Sequence, residues 1–400
     1  MKVIANPPFG IYKGDIHIGQ AFYHVLLDVY YRFLTQCMYA NAVFPAYSLN
    51  VYGKRGEKLV ADNTSDEELR KILDANSDSY ISSNRLRDRL NLGSNALVTD
   101  RDSASIESAK TSFIELANRG FTFQDNGVWF LDLPLISGRY DLSRAQRLIS
   151  IYPDRISGEL ERMIEENTKE PLKITRPTRY AIPNPIGGEN LGPLFVLATM
   201  WESHYKDANF TIAASEDVLA KYVLLRFLVN MALRGEPGMD ELFIYNKVQP
   251  EGGIEAWNIK DLTEDAYKAD MLRYALVSSH SFKEPAVNLG RDAIKGGKNF
   301  VYFVGSMRKA FYHVRSDGNP RRDESYMQKM KAFRFSEVLS GLETKLRGLS
   351  KKINISKNQG LWEQQKPELL SEYLMLVNQL SPILPAITDL IKTDLNVVRT

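Results

Sequence analysis

Apolar positions follow two different spacings along this chain, and each change of spacing marks an element. Lys2 to Ala5 is a short apolar run that stops at Pro7-Pro8, which break any strand or helix. Past a glycine-bearing turn, Ala21, Val25 or Leu26, Val29 and Phe33 recur at helical spacing. They predict a helix over Ile16 to Leu34 with one face against a sheet. Ala42-Val43-Phe44 predicts a second strand. Strand, turn, helix, strand is a βαβ unit, for which parallel pairing and a right-handed crossover are the default. Ser65-Asp66-Glu67-Glu68 has the Ser-x-x-Glu form of a capping box and opens the next helix. A further helix spans about Ser103 to Asn118 and stops at Gly120, a left-handed cap. Phe121 to Leu133 alternates and is aromatic, so it predicts strands. The stretch 134–172 is mixed and predicts no definite element.

A second α/β stretch begins near Lys173, with apolar runs at Leu194–Ala198 and Phe210–Ala213 and a long helix over about Asp217 to Leu233. From about Thr263 the spacing is helical. Phe335 to Leu349 and Pro367 to Ile391 carry Leu, Val and Ile on one face and predict a closing helical bundle. No internal repeat interrupts this order. The expected fold is α/β: a Rossmann-like, doubly wound parallel sheet split by an insertion, then an α-helical bundle.

With 400 residues the chain is too long for one core and predicts two or three domains. Its 44% hydrophobic and 25% charged residues are those of an ordinary globular protein. A net charge of +2 neither demands nor excludes nucleic acid. Cys37 is the only cysteine, which rules out an intrachain disulfide and a cysteine zinc knuckle. The five histidines are scattered, so no metal site is expected, and His204, His280 and His313 read as surface or satisfied polar residues. The N-terminus carries no signal-peptide pattern, and the longest apolar run, around Pro193 to Trp201, is too short to span a bilayer. A cytoplasmic location is the simplest expectation.

The candidate chemistry lies at Gly14, His17, Gly19 and Gln20, between the first strand and first helix. A helix N-terminus presents backbone N–H groups and a positive dipole end, which favour phosphate. Glycine lets the backbone come close to a nucleotide, and histidine can donate to a phosphate as charge builds on it. Gln20 can also donate but cannot be charged. A lone His-x-Gly after a strand is more often a plain turn. What weighs against that reading is the order of the segments downstream.

Pro7-Pro8 followed by Gly14-x-Ile16-His17-x-Gly19-x-Ala21 resembles the HIGH signature of class I aminoacyl-tRNA synthetases, with Gln20 in place of its last histidine. Asp28 and Arg32 on the helix are similar to the methionyl, leucyl, isoleucyl and valyl branch. Val43-Phe44-Pro45 and Asn50-Val51-Tyr52-Gly53 resemble its second strand and following turn. Val98-Thr99-Asp100, then Arg119-Gly120-Phe121, resemble the start of its connecting insertion. Ile174-Thr175-Arg176 and Tyr180-Ala181-Ile182-Pro183 are similar to its re-entry into the catalytic fold. Leu380 to Pro385 resembles the last helix of its anticodon-binding bundle. The resemblance implies a first catalytic half at 1–57, a connecting insertion without a large editing domain at 58–172, a second half at 173–262 and a helical bundle at 263–400.

It also implies ATP with Mg2+, an amino acid or related carboxylate as substrate, and no protein-bound zinc. Gly14, His17, Gly19, Gln20, Lys247 and Gly253 would meet ATP, with His17, Gln20 and Lys247 acting in catalysis. Ala5, Asn6, Pro7, Asn50 and Gly53 would meet the substrate. Two departures bear on this chemistry. The counterpart of the KMSKS signature is Lys247-Val248-Gln249-Pro250-Glu251, so Pro250 stands where a second lysine would, and Glu251 adds a negative charge. Asp270 and Arg273 fit the family's Ala-Asp-x-x-Arg stretch and support that register. Losing one such donor costs roughly 10²–10³ in rate, so either another cation (Lys221, Lys247 or Lys260) serves or ATP activation is weak or absent. Asn50 replaces the family's acid for the substrate ammonium, and Phe195 to Met200, similar to the other pocket strand, supplies no acid either. That points to a substrate lacking a free α-ammonium or holding it less tightly.

Three readings follow. The chain forms an acyl-adenylate and transfers it to tRNA or a small-molecule acceptor; or it is a repurposed paralogue that binds tRNA or uses charged tRNA without adenylation; or it is a nucleotidyltransferase of the same superfamily. The C-terminal Arg308-Lys309, Arg321-Arg322 and Lys345 to Lys352 suit an RNA backbone, but interspersed Asp323, Glu337 and Glu343 equally suit a solvated helix face.

Overall fold

The structure, a computed structural model, describes residues 1–6, 9–10, 17–38, 43–51, 64–84, 86–93, 97–178, 181–205, 208–245, 247–253, 257, 259–280, 286–312 and 323–395. Pro7, Gly14, Gly53 and His313 lie outside these residues, and for Asn50 and Lys247 only the backbone is described.

The strands used below are β1 (Lys2–Ala5), β2 (Phe9–Gly10), β3 (Val43–Asn50), β4 (Leu97–Thr99), β5 (Ser150–Tyr152), β6 (Asn209–Ser215), β7 (Glu241–Tyr245), β8 (Lys247–Pro250) and β9 (Ala286–Leu289). The helices are α1 (Ile18–Arg32), α2 (Asp66–Asn84), α3 (Ser103–Asn118), α4 (Leu224–Arg234), α5 (Ala266–Ser279), α6 (Arg291–Met307), α7 (Phe335–Asn358), α8 (Trp362–Leu380) and α9 (Pro385–Asp394). Contacts divide the chain into two units that interleave along the sequence. One holds Met1–Asp15, Ala42–Ser83 and Ala96–Tyr245; the other holds Ile16–Asn41, Asn84–Asn95 and Asn246–Thr400.

The first unit is built on a parallel sheet of order β2–β3–β1–β6–β7–β5, with β4 paired to β3. Lys2 to Ala5 runs in register with Val43 to Ala46 on one side and Asn209 to Ile212 on the other. A central parallel strand is covered on both faces, so it needs an unbroken apolar run instead of an alternating one. Val3, Ile4 and Ala5 meet that need and are all fully buried. Helices α3 and α4 contribute Phe113 and Phe227 to the same core, beside Trp201. The expected strands between Phe121 and Leu133 form a hairpin, Thr122–Asp125 with Val128–Leu131. Its turn residues Asn126 and Gly127 have φ of 48° and 82°, the left-handed pair that tight hairpins require.

Several elements differ from the sequence-based expectation. The apolar run at Leu194–Ala198 is helical, within Pro193–Thr199, and so Phe195 to Met200 is not a pocket strand. So short an apolar run carries too little periodicity to separate strand from helix, and Pro193 at the first helical turn decides the matter. The helix expected from Asp217 is a 3₁₀ turn and a π turn followed by α4. Within the mixed stretch, Ser150–Tyr152 pairs with β7 and extends the sheet. Ser65 caps α2 as expected, accepting the Glu68 amide at 3.3 Å.

Among its described residues the second unit is helical apart from the parallel pair β8–β9. Helices α5 and α6 come very close: a Cβ at Gly297 would lie 2.4 Å from the Met271 carbonyl oxygen. Helices α7 and α8 pack on each other, and α9 packs on α5, α6 and α8. At the centre of the unit Asp28 and Arg273, both fully buried, are joined at 2.8 Å. Asp28 also accepts from Arg32 Nε at 2.8 Å and the Gly93 amide at 2.7 Å. Arg273 donates to the carbonyls of Ile383 (2.7 Å), Pro382 (2.8 Å) and Leu90 (3.1 Å). One helical turn away, the Asp270 carboxylate accepts the Ile387 amide at 2.8 Å near the start of α9. Burial pushes the Asp270 carboxyl up to about 7, against the opposing pull of that amide and of Arg273. Three segments that the sequence offers as separate motifs thus form one polar hub.

The chain therefore has a mixed α/β, Rossmann-like fold with a helical C-terminal region. Among the described residues no helix is long and apolar enough to cross a membrane.

Candidate functional site

His17 is the N-cap of α1, with extended backbone at φ −89° and ψ 160°. Its Nδ1 accepts the amides of Gly19 at 3.1 Å and Gln20 at 3.3 Å, while Gln20 Oε1 accepts the His17 amide at 3.2 Å. This is a reciprocal capping box with an imidazole in the place usually held by a hydroxyl or carboxylate. Two consequences follow for phosphate chemistry. The amides of Gly19 and Gln20 are engaged by the imidazole instead of being presented to a ligand. An imidazole that accepts at Nδ1 must, when neutral, carry its proton on Nε2. Burial holds the His17 pKa below the ordinary 6.5, so the neutral form prevails at pH 7. The cap thus sets His17 as an Nε2–H donor of fixed tautomer.

Gly19 is explained by the same arrangement. A Cβ there would lie 3.1 Å from His17 Cε1 and 3.2 Å from Nδ1, so a larger residue displaces the ring. Gln20 is buried, and its carbonyl belongs to the cap. The glycine of the His-x-Gly pattern makes room for the imidazole.

In the same unit α1 packs against β8, the strand that opens at Lys247. Strand β8 runs beside β9, with Lys247 opposite Ala286 and Pro250 opposite Leu289. Pro250 ends the strand, where its missing N–H is least costly. The Glu251 amide then donates to Leu289 at 3.0 Å, and the Gly253 amide to Pro250 at 3.1 Å. Gly252 and Gly253 have φ of 77° and 86°, a left-handed turn open to glycine. Glu251 Oε2 accepts the Arg291 amide at a long 3.4 Å, placing its charge at the positive end of α6. Its carbonyl accepts Trp257 Nε1 at 2.8 Å. Lys260 lies on the short helix Ile259–Leu262 of this unit, and Lys221 on the π turn of the other.

The remaining candidates belong to the sheet unit. Ala5 ends β1 and Asn6 follows it, both buried; Asn50 ends β3. These are carboxyl ends of adjacent parallel strands, the edge at which open α/β sheets receive ligands. Ser215 ends β6 at the same edge. Sequence reasoning gave Asp100 no role, yet it is buried and its Oδ1 accepts the Val51 amide at 2.6 Å. An acid directly after the apolar strand Leu97–Thr99 was the available signal. His204 is half-buried and shares a 3.0 Å hydrogen bond with Ser105 Oγ. His280 is buried against Phe22, Phe333 and Phe335, which pulls its pKa down to about 4. It is therefore not a surface residue. Among the described residues no three His, Cys, Asp or Glu side chains are grouped to hold a metal ion.

No protein-family model matches the sequence, and no curated protein matches it. Solved structures do. A Mycobacterium tuberculosis methionyl-tRNA synthetase bound by methionyl-adenylate superposes with a TM-score of 0.76 at 12% identity, over 97% of this chain and 93% of that one. A second structure of that enzyme in complex with methionyl-adenylate gives 0.75 at 12% identity, over 97% and 92%. At such identity the likeness is one of fold, and the fold is that of the class I synthetases.

Proposed function

We propose that this chain is a class I synthetase-like ligase that activates an amino acid or related carboxylate as an acyl-adenylate. In that reaction a carboxylate oxygen attacks the α-phosphorus of ATP, and pyrophosphate leaves. Negative charge builds on the phosphate oxygens, and fixed donors aimed at it lower the barrier most. His17 is the donor: its cap holds the proton on Nε2, so no reorganisation is needed as charge develops. Lys247 adds positive charge from β8, Gly19 and Gly253 keep the backbone compact at ATP, and Mg2+ enters bound to the triphosphate. Gln20 acts by holding the His17 cap. Ala5, Asn6 and Asn50, at the carboxyl ends of β1 and β3, meet the carboxylate substrate with Pro7 and Gly53, while Gly14 meets ATP. An asparagine at 50 favours a substrate whose ammonium is absent or weakly held. The acceptor is tRNA or a small nucleophile.

The observation that carries the reading is the tautomer fixed at His17 in a chain whose fold is that of structures bound to methionyl-adenylate. ATP–pyrophosphate exchange over a panel of amino acids and their des-amino analogues tests it. Exchange with at least one carboxylate is expected, and des-amino analogues should match or exceed their amino acids. Folded protein that binds ATP yet exchanges with none of them sinks the reading. Pro250 in the place of a lysine favours a second one: a repurposed paralogue that binds tRNA or uses charged tRNA without adenylation. That alternative expects salt-dependent tRNA binding that is unchanged in Lys247→Ala.

A further inference from the structure

Beside the loop that follows β8, the helical unit contains a hollow of about 490 Å³. Its floor is apolar: Trp257 and Met271 are buried there, and Ile294 closes it. Arg291, Lys295 and Lys298 line the other side. At spacings of four and three residues they share one face of α6 with Ile294. All three are exposed, and none forms an ion pair with a described residue. Lys268 on α5 also reaches the hollow, but it is held by Glu264. Among the described residues the one carboxylate on the lining is Asp261.

We propose that this hollow binds a small organic anion, with an aromatic or acyl group on Trp257, Met271 and Ile294 and a carboxylate or phosphate among Arg291, Lys295 and Lys298. Three unpaired cations on one helix face repel each other, and an anion relieves that repulsion. The size lies within the range of roughly 300–1,000 Å³ for small-molecule sites, which are mostly apolar with a few placed polar groups. A track for a nucleic-acid backbone needs the cations but not the apolar recess, so a compact amphipathic anion fits both halves better. Occupancy also bears on the neighbouring loop. Trp257 and the Arg291 amide, both on the hollow's lining, each donate to Glu251, one residue past Pro250. The site is therefore an effector-type site coupled to the Lys247–Gly253 segment, independent of which carboxylate the chain activates.

Phenyl phosphate is the probe, read on the full chain by the methyl signal of 13C-labelled Met271, which Met271→Leu assigns. A saturable shift is expected, weakened at least tenfold in Lys295→Gln/Lys298→Gln, with inorganic phosphate moving the signal far less. The two lysines are exposed, so the double variant should melt like the parent chain. Equal affinity in the double variant, or no shift by phenyl phosphate, overturns the proposal. So does a shift produced only by an RNA duplex and lost steeply with added salt, which assigns the cations to nucleic acid.

Discussion

His17 does two things with two different nitrogens, and substitutions can separate them. Asparagine ranks with the best N-cap residues, and its Oδ1 can take the Gly19 and Gln20 amides in place of Nδ1. It brings no donor to the position of Nε2. Alanine removes both functions. His17→Ala should therefore lose roughly 0.5–2 kcal/mol of stability in urea unfolding, and His17→Asn only a few tenths. Both should lose about 10²–10³ in ATP–pyrophosphate exchange, the usual cost of one donor aimed at developing charge. The measurements are paired urea curves and exchange rates, using the carboxylate that the parent chain exchanges fastest. Exchange by His17→Asn within a few-fold of the parent would show that Nε2 does not meet the phosphate. Equal destabilisation of the two variants would show that the capping geometry does not hold α1. Acid gives an independent check. Protonation removes the acceptor lone pair on Nδ1, and the folded pKa lies below 6.5. The cap's contribution is thus complete above pH 6.5 and lost as pH falls through the folded value. His17→Asn should lack that loss.

Three further expectations follow from the described contacts. Asp28→Asn leaves Arg273 buried without its counter-charge and should cost roughly 3–5 kcal/mol in urea unfolding, with much of it recovered in Asp28→Asn/Arg273→Met; equal stability of parent and single variant refutes the hub. The His280 pKa falls from 6.5 unfolded to about 4 folded, so its contribution is present above pH 6.5 and lost as pH falls toward 4. At pH 5 that loss is about 2 kcal/mol, and His280→Leu should be less acid-sensitive by that amount; parallel pH profiles count against it. Pro250→Lys should raise ATP–pyrophosphate exchange by up to about 10² if the strand end approaches the phosphates, and an unchanged rate places it elsewhere.

The fold was readable where side chains impose a long period. Helix α3 and the helical C-terminal stretch follow from such runs, and the Phe121–Leu133 hairpin from its alternation. Short apolar runs were not readable, because so few residues cannot reveal a period. Pro193–Thr199 and Ser150–Tyr152 both fall in that class. At the candidate site, the sequence marks His17 and Gly19 but gives no hint that the imidazole itself closes the helix. That depends on the ring lying back over Gly19, a backbone property without a residue signature. Asp28, Asp270, Arg273 and Leu380 to Pro385 are each visible as motif fragments. Their convergence is not, because nothing in the residues states that carbonyls at Leu90, Pro382 and Ile383 receive one guanidinium.

That guanidinium also orders events during synthesis. Arg273 and Leu90 are 183 residues apart, and Asp28 is made earlier still. At about 5–20 residues per second, Asp28 has only Arg32 of its own helix as a counter-charge for on the order of 10 s or longer, until Arg273 leaves the ribosome. The first helix translated is thus among the last to reach its native partners. A nascent chain halted at Tyr245 should carry a closed sheet unit and an α1 whose Asp28 is paired with Arg32 alone.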